Sequence, residues 1–138
     1  MDPTLICRLE SGFLCLAENQ FLRGYCLLLA FPKVDQLLSL EPEQQAQFLR
    51  DMARAGEAVK RATQCVRVNF AIYGNLDPFL HAHIWPRYSD EAEALRTIPP
   101  LSFPLEVRTD HETQFSESRH GDLIRHVRQL LTHSAEQK

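Results

Sequence analysis

The amino-acid sequence predicts an α+β domain built around an antiparallel sheet. Three observations carry that prediction. Two short apolar stretches, residues 5–9 and 13–17, are separated only by Glu10, Ser11 and Gly12, which is hairpin spacing. Residues 66–73 alternate along their length, with Val66, Val68, Phe70 and Ile72 on one side and Arg67, Asn69, Ala71 and Tyr73 on the other. Between them lies one long stretch of helical period instead of repeated strand–helix alternation, which separates α+β from a doubly wound sheet.

Taken in order, the hairpin is followed by residues 24–32, a continuous apolar run closed by Pro32, as a buried strand requires. Pro42 suits the first turn of a helix, and Glu41 and Glu43 sit at its positive end. Phe48, Leu49, Met52, Ala55 and Val59 then share one face as far as about Gln64. That apolar stripe predicts a core-facing helix. After the alternating strand, Gly74, Asn75, Asp77 and Pro78 form a turn-rich connection to a strand over residues 80–85. The two strands are expected to pair antiparallel. Beyond Tyr88 the pattern weakens. Residues 89–95 are acidic and read as a short helix or a loop; Pro99, Pro100 and Pro104 interrupt the chain; Leu105 and Val107 suggest another strand. Leu123, Ile124, Val127, Leu130 and Leu131 define a final amphipathic helix, and the tail from His133 is expected to fray. The expected whole is about five antiparallel strands, a long helix after the third, and a C-terminal helix.

A chain of 138 residues, 44% hydrophobic, fits one domain with a real core. The net charge of −3 and pI near 6.0 give no electrostatic case for nucleic acid or an anionic membrane, while leaving room for a local anion pocket. The N-terminus lacks the basic start and apolar core of a signal peptide. The longest apolar run, residues 25–31, is too short to cross a bilayer. Cys7, Cys15, Cys26 and Cys65 form no Cys-x-x-Cys pair and read as reduced, structural thiols of a cytoplasmic protein.

The residues that call for chemistry are PFLHAHIWPR, 78–87. On a strand, Leu80, Ala82 and Ile84 turn inward while Phe79, His81, His83, Trp85 and Arg87 share the other face. Asn69 and Tyr73 join that face from the neighbouring strand. Two imidazoles, an amide, an indole and a guanidinium suit a pocket for a base and a phosphate. Three readings of the histidines stand open. They are ordinary hydrogen-bonded residues; or a metal pair completed by His111, Asp77 or Asp90; or nucleophiles, since a neutral imidazole can attack phosphorus and hold a nucleotidyl group.

Asn75 together with PFLHAHIWPRY, 78–88, resembles the signature of the histidine-triad (HIT) superfamily of nucleotide hydrolases and transferases. His81 and His83 match its second and third histidines, and Leu80, Ala82, Ile84 and Trp85 match its apolar positions. NQFLRGYCLLLAFPK, 19–33, is similar to the strand before the family's long helix. The resemblance covers about residues 11–88, with 89–138 an extension of one HIT-like domain spanning 1–138. Its nearest branch is that of the bacterial dinucleoside polyphosphate hydrolases.

The resemblance implies that His81 attacks the α-phosphorus of a dinucleoside polyphosphate or a nucleoside phosphoramidate, giving a covalent nucleotidyl-histidine. It gives His83 a hydrogen bond to a phosphate oxygen or the leaving atom, and substrate-binding parts to Asn75, Asn69 and Arg87. It implies no protein-bound metal, although a polyphosphate substrate can bring Mg²⁺, and a homodimer whose sheet spans both subunits. An ordinary imidazole titrates near about 6.5, so activity is expected to fall on the acidic side. The departure is Phe79, which stands where the family has its first histidine. Tyr25 likewise stands where the family frequently has another, and a Tyr25–Phe79 aromatic contact is the expected replacement. Phe79 also favours an alternative, a nucleotide-binding module with little turnover; a His-x-His metal protein is the other. His111, His120, His126 and His133 lie beyond the motif and are expected to take no direct part. Tyr73 and Trp85 either border a base pocket or pack in the core.

Overall fold

The period-two stretches pair into one antiparallel sheet. The structure, a computed structural model, describes residues 2–136, with side chains through 132. Its strands are β1 (Leu5–Leu9), β2 (Gly12–Leu16), β3 (Cys26–Ala30), β4 (Arg67–Ile72) and β5 (His81–Arg87), in the order β1-β2-β3-β5-β4. The long helix α1 (Pro42–Thr63) follows β3, and α4 (Glu117–Glu136) ends the chain; α2 (Glu93–Arg96) and α3 (Leu105–Arg108) are single turns. The predicted α+β class and the five strands are all present. Because β5 inserts between β3 and β4, the histidine strand is central and β4 is an edge.

α1 starts where the sequence places it. Pro42 occupies the first turn, and Glu41 and Gln44 cap each other's backbone N–H groups. The helix ends at Gln64, which adopts the left-handed conformation at φ 57°. Phe48, Ala55 and Val59 are fully buried against the sheet, as expected, but Leu49 is 40% exposed and Asp51 takes an interior position. The helix face is rotated relative to the predicted stripe because Asp51 has a specific partner. Its Oδ2 accepts from the Ser11 backbone N–H at 2.9 Å and from the Ser11 hydroxyl at 2.6 Å, and its Oδ1 accepts from Gln47 at 2.9 Å. The carboxylate therefore ties the β1–β2 turn to α1. Together with α4, α1 covers one face of the sheet and buries Leu14, Leu28, Leu80, Ala82 and Ile84.

The other face carries a second, smaller core. Tyr25, Trp85, Leu22, Ala17 and Phe103 are buried in it, with Leu95, Ile98 and Val107 packed against them. Residues 89–115 run across this face and are stitched to the 17–20 segment by Gln20 N–H to Thr113 O at 2.7 Å and Phe115 N–H to Glu18 O at 2.7 Å. Leu105 and Val107 do not form the strand expected of them. Pro104 caps a helical turn there, and Val107 faces this core. The C-terminal helix is as predicted. Its backbone is helical to Glu136, so the helix takes in part of the expected tail; residues 137–138 lie outside the described residues. Among the described residues no helix is long and apolar enough to cross a membrane.

A buried carboxylate that satisfies three donors is costly to remove, because each donor left unpaired costs about 1–3 kcal/mol. Asp51→Ala is expected to lower unfolding free energy by about 3 kcal/mol, read as a lower urea midpoint with an unchanged slope. Loss of no more than the effect of an exposed substitution such as Glu57→Ala would show that Asp51 is not the tie.

Candidate active site

β5 pairs with β3 through Leu27–His83 and Leu29–His81, and with β4 through Ala71–His83 and Asn69–Trp85. Cross-strand partners project to the same side. His81, His83 and Trp85 therefore share one face with Leu27, Leu29, Asn69 and Ala71, and Ala82 and Ile84 face the helices with relative exposures of zero. The rings form a continuous row. His81 and His83 centroids are 5.1 Å apart, and His83 stacks on Trp85 at 4.7 Å with 10° between planes.

His81 is 8% exposed, and its Nδ1 lies 2.9 Å from the backbone carbonyl oxygen of Phe79. A carbonyl only accepts, so Nδ1 carries the proton. In the neutral ring the lone pair is then on Nε2. The group that orients His81 belongs to the backbone, and Phe79 supplies it as well as any residue would. The Phe79 ring lies 4.7 Å from the His81 ring, with the Lys33 ammonium 4.9 Å from the Phe79 centroid. The Lys33 ammonium thus sits over the Phe79 ring at this end of the row.

His83 is half-buried, with its Nδ1 2.7 Å from the Tyr25 hydroxyl. Tyr73 lies 5.9 Å from it on the other side. Burial, and then the charge His81 would carry, push the His83 imidazole down from the usual 6.5 to about 4. Burial pushes the Tyr25 hydroxyl well above its ordinary value. Tyr25 is placed by its neighbours. Gly24 turns the chain into β3 at φ +100°, and a Cβ there would sit 2.9 Å from Thr63 Cγ2. The buried Gln20 side chain accepts from Gly24 N–H at 2.8 Å and donates to the Tyr25 carbonyl at 2.9 Å.

Two cavities are lined by residues of the neighbouring strands, and neither is lined by His81 or His83. One, of about 440 Å³, is lined on the β2–β3 side by Tyr25, Leu27, Leu29, Phe21 and Leu101. The other, of about 670 Å³, is lined on the β4 side by Asn69, Ala71, Tyr73, Trp85 and Ile98. Tyr73 and Trp85 thus both border a cavity, and Trp85 also packs in the second core, with its indole N–H buried outside hydrogen-bond geometry.

The expected substrate-binding residues separate. Asn75 is exposed on the loop entering β5 and makes no side-chain hydrogen bond among the described residues. Asn69 lines the β4-side cavity, while its Oδ1 accepts from Arg87 at 2.9 Å. Arg87 is placed differently from the expectation of a phosphate ligand. It is 8% exposed and all of its N–H groups are engaged, by Glu91, Asn69 and the carbonyls of Leu95 and Ile98. It anchors residues 91–98 on the sheet. The expected Tyr25–Phe79 contact does not form. The register puts Tyr25 at the Trp85 end of the row, 5.4 Å from the indole, and Phe79 at the opposite end against His81. The Phe79 carbonyl, the Tyr25 bond to His83 and Lys33 escaped sequence reasoning. A backbone atom has no residue signature, and the other two depend on pairing register. His120 caps α4 by accepting from Ser116 N–H at 3.0 Å, away from the row. Among the described residues no three His, Cys, Asp or Glu side chains converge as metal ligands.

A depressed His83 makes stability depend on pH with a definite sign. The unfolded ring takes a proton near 6.5 and the folded ring only near 4, so stability is full above about 6.5 and is lost as pH falls toward 4. Ring-proton NMR is expected to show His83 still neutral at pH 5.5; a midpoint at 6.5 or higher would contradict its burial.

No protein-family model matches the sequence, and no curated protein matches it. Solved structures do. A histidine triad protein from Bradyrhizobium japonicum is 25% identical with a TM-score of 0.74, over 92% of this chain and 89% of that one. A histidine triad (HIT) protein from Sinorhizobium meliloti is 18% identical with a TM-score of 0.74, over 91% and 87%. A zinc-bound histidine triad family protein from Mycobacterium smegmatis is 19% identical with a TM-score of 0.66, over 95% and 87%. With a central His-x-His strand, one long helix after the third strand and these likenesses over nine-tenths of its length, the chain has the histidine-triad fold.

Proposed function

We propose that the protein is a nucleotide hydrolase that cleaves at an α-phosphate through a covalent nucleotidyl-His81. The observation that carries this reading is the bond between His81 Nδ1–H and the Phe79 carbonyl, which leaves the Nε2 lone pair for attack. As the ring gains positive charge on bonding phosphorus, the same carbonyl stabilises it. His83 donates to a phosphate oxygen, Asn75 lies on the adjoining loop for phosphate, and Asn69 belongs to the wall of the β4-side cavity. The β4-side cavity, lined by Trp85, Tyr73 and Asn69, supports a ring-bearing group beside the row. Water then hydrolyses the nucleotidyl-histidine. The reading calls for no protein-bound metal. The free β4 edge, with Val66, Phe70 and Tyr73 exposed, supports a symmetric dimer through sheet extension. Four free cysteines suit a reducing, cytoplasmic setting.

The Phe79 side chain favours one second reading, a nucleotide-binding module in which turnover is weak. One experiment separates the two. Wild type and His81→Ala are incubated with a labelled dinucleoside polyphosphate and with adenosine phosphoramidate, and mononucleotide and trapped nucleotidyl-protein are measured. His81→Ala is expected to lose both the adduct and at least about 10³-fold in kcat, and His83→Ala about 10²–10³-fold. Equal slow turnover by wild type and His81→Ala would sink the covalent route, and tight binding without turnover would leave the module. Stoichiometric zinc that disappears in both histidine variants would overturn both in favour of a metal protein.

A further inference from the structure

The Tyr25–His83 bond has two possible polarities, and the surroundings choose one. Among the described residues the Tyr25 hydroxyl has one hydrogen-bond partner, His83 Nδ1. The Trp85 N–H lies close enough to favour negative charge on the phenol oxygen, though outside hydrogen-bond geometry, and it can only donate. The buried phenol proton therefore has a single acceptor in reach, the Nδ1 lone pair. The His83 proton is then on Nε2. The two imidazoles, 5.1 Å apart, are chemically unlike: one offers a lone pair from Nε2, the other a proton.

We propose that Tyr25 is a positioning residue that holds His83 as a neutral Nε2–H donor, and that this matches the site to substrates whose leaving group departs as a phosphate anion rather than as an amine. The inference rests on the nucleotidyl-transfer reading above and deepens it. The groups that face His83 are His81 on its own strand, Tyr25 on β3 and Tyr73 at the end of β4, with Lys33 beyond Phe79. None is a carboxylate, and no carboxylate hydrogen-bonds His83 among the described residues. No anionic group among the described residues pairs with an imidazolium there, and burial opposes one.

The consequence follows from proton balance. His81 Nε2 bonds to the α-phosphorus while the bond from phosphorus to the bridging oxygen breaks. The electron pair stays on that oxygen, which leaves as a phosphate-ester anion with no proton added. The His83 N–H strengthens its hydrogen bond to that oxygen and keeps its proton. A phosphoramidate differs, because the departing nitrogen must take a proton before the P–N bond breaks. A neutral His83 whose Nδ1 already accepts from Tyr25 can supply one only by leaving an imidazolate or, if the phenol proton follows to Nδ1, a tyrosinate, and burial opposes a charged Tyr25 oxygen.

The test uses full-length wild type, Tyr25→Phe and Tyr25→His, with a dinucleoside tetraphosphate and the phosphoramidate of the same nucleoside. Steady-state kcat and KM are measured beside the ¹⁵N ring spectrum of His83. Tyr25→Phe preserves ring volume, and its thermal midpoint checks that it folds. Wild type is expected to prefer the tetraphosphate by at least about 10-fold in kcat/KM and to show only the Nε2–H tautomer. Tyr25→Phe is expected to populate both tautomers and to lose about 10- to 100-fold in kcat on the tetraphosphate with little change in KM. Tyr25→His, which can restore a donor, recovers part of that loss. A His83 with its proton on Nδ1, a wild-type preference for the phosphoramidate, or an unchanged kcat in Tyr25→Phe would each overturn the proposal. If wild type cleaves neither substrate, the hydrolase reading fails and the leaving-group preference falls with it. The tautomer of His83 in wild type and Tyr25→Phe then still decides the positioning role.

Discussion

The pairing of β3 with β5 is the constraint on which the rest of the structure depends. Its register sets Leu29 beside His81 and Leu27 beside His83. A shift of one residue would turn both imidazoles into the helix-covered core and bring Ala82 and Ile84 out. It would also separate Tyr25 from His83. The register is held from both sides of the sheet. Fully buried Leu28, Ala82 and Ile84 must stay under α1 and α4, and Gln20 and Gly24 set the point at which the chain enters β3. Burial of each large apolar side chain contributes about 1.5–3 kcal/mol, so slippage is opposed many times over.

The site face is divided into a dry end and a wet end. Residues 89–115 close over Tyr25 and Trp85, and Arg87 pins them there through Glu91 and main-chain carbonyls. The opposite end, with Phe79, Lys33 and the Asn75 loop, stays open. The two imidazoles differ in their partners: His83 meets the Tyr25 hydroxyl and is pushed toward the neutral form by burial, while His81 takes its orientation from a backbone carbonyl. In the function proposed above, two histidines two positions apart on a strand take the parts of donor and nucleophile through their neighbours.

The side chain of Phe79 matters less to His81 than its backbone does. The hydrogen bond that orients His81 comes from the main chain of residue 79 and does not depend on its side chain. What the aromatic ring adds is a platform for Lys33 next to His81.

Much of this was legible in the sequence. Alternation over residues 66–73 and 80–85, the helical period after Pro42 and the His-x-His spacing follow from local rules of strand and helix geometry, and they determine the α+β class, the strand faces and the pair of histidines. Local rules do not reach across the chain. The interior place of Asp51 depends on a turn 40 residues away, the helical turn at Leu105 depends on a core that Tyr25 and Trp85 supply, and the anchoring by Arg87 depends on where residues 91–98 come to rest. The partner of His83 was decided in the same way. Tyr25 and Phe79 were both recognisable as departures, yet only strand register determines that Tyr25 meets His83 at 2.7 Å and Phe79 meets His81 at 4.7 Å. Periodicity tells which face a residue takes; its neighbour on that face is a long-range contact, and only the tertiary structure decides it.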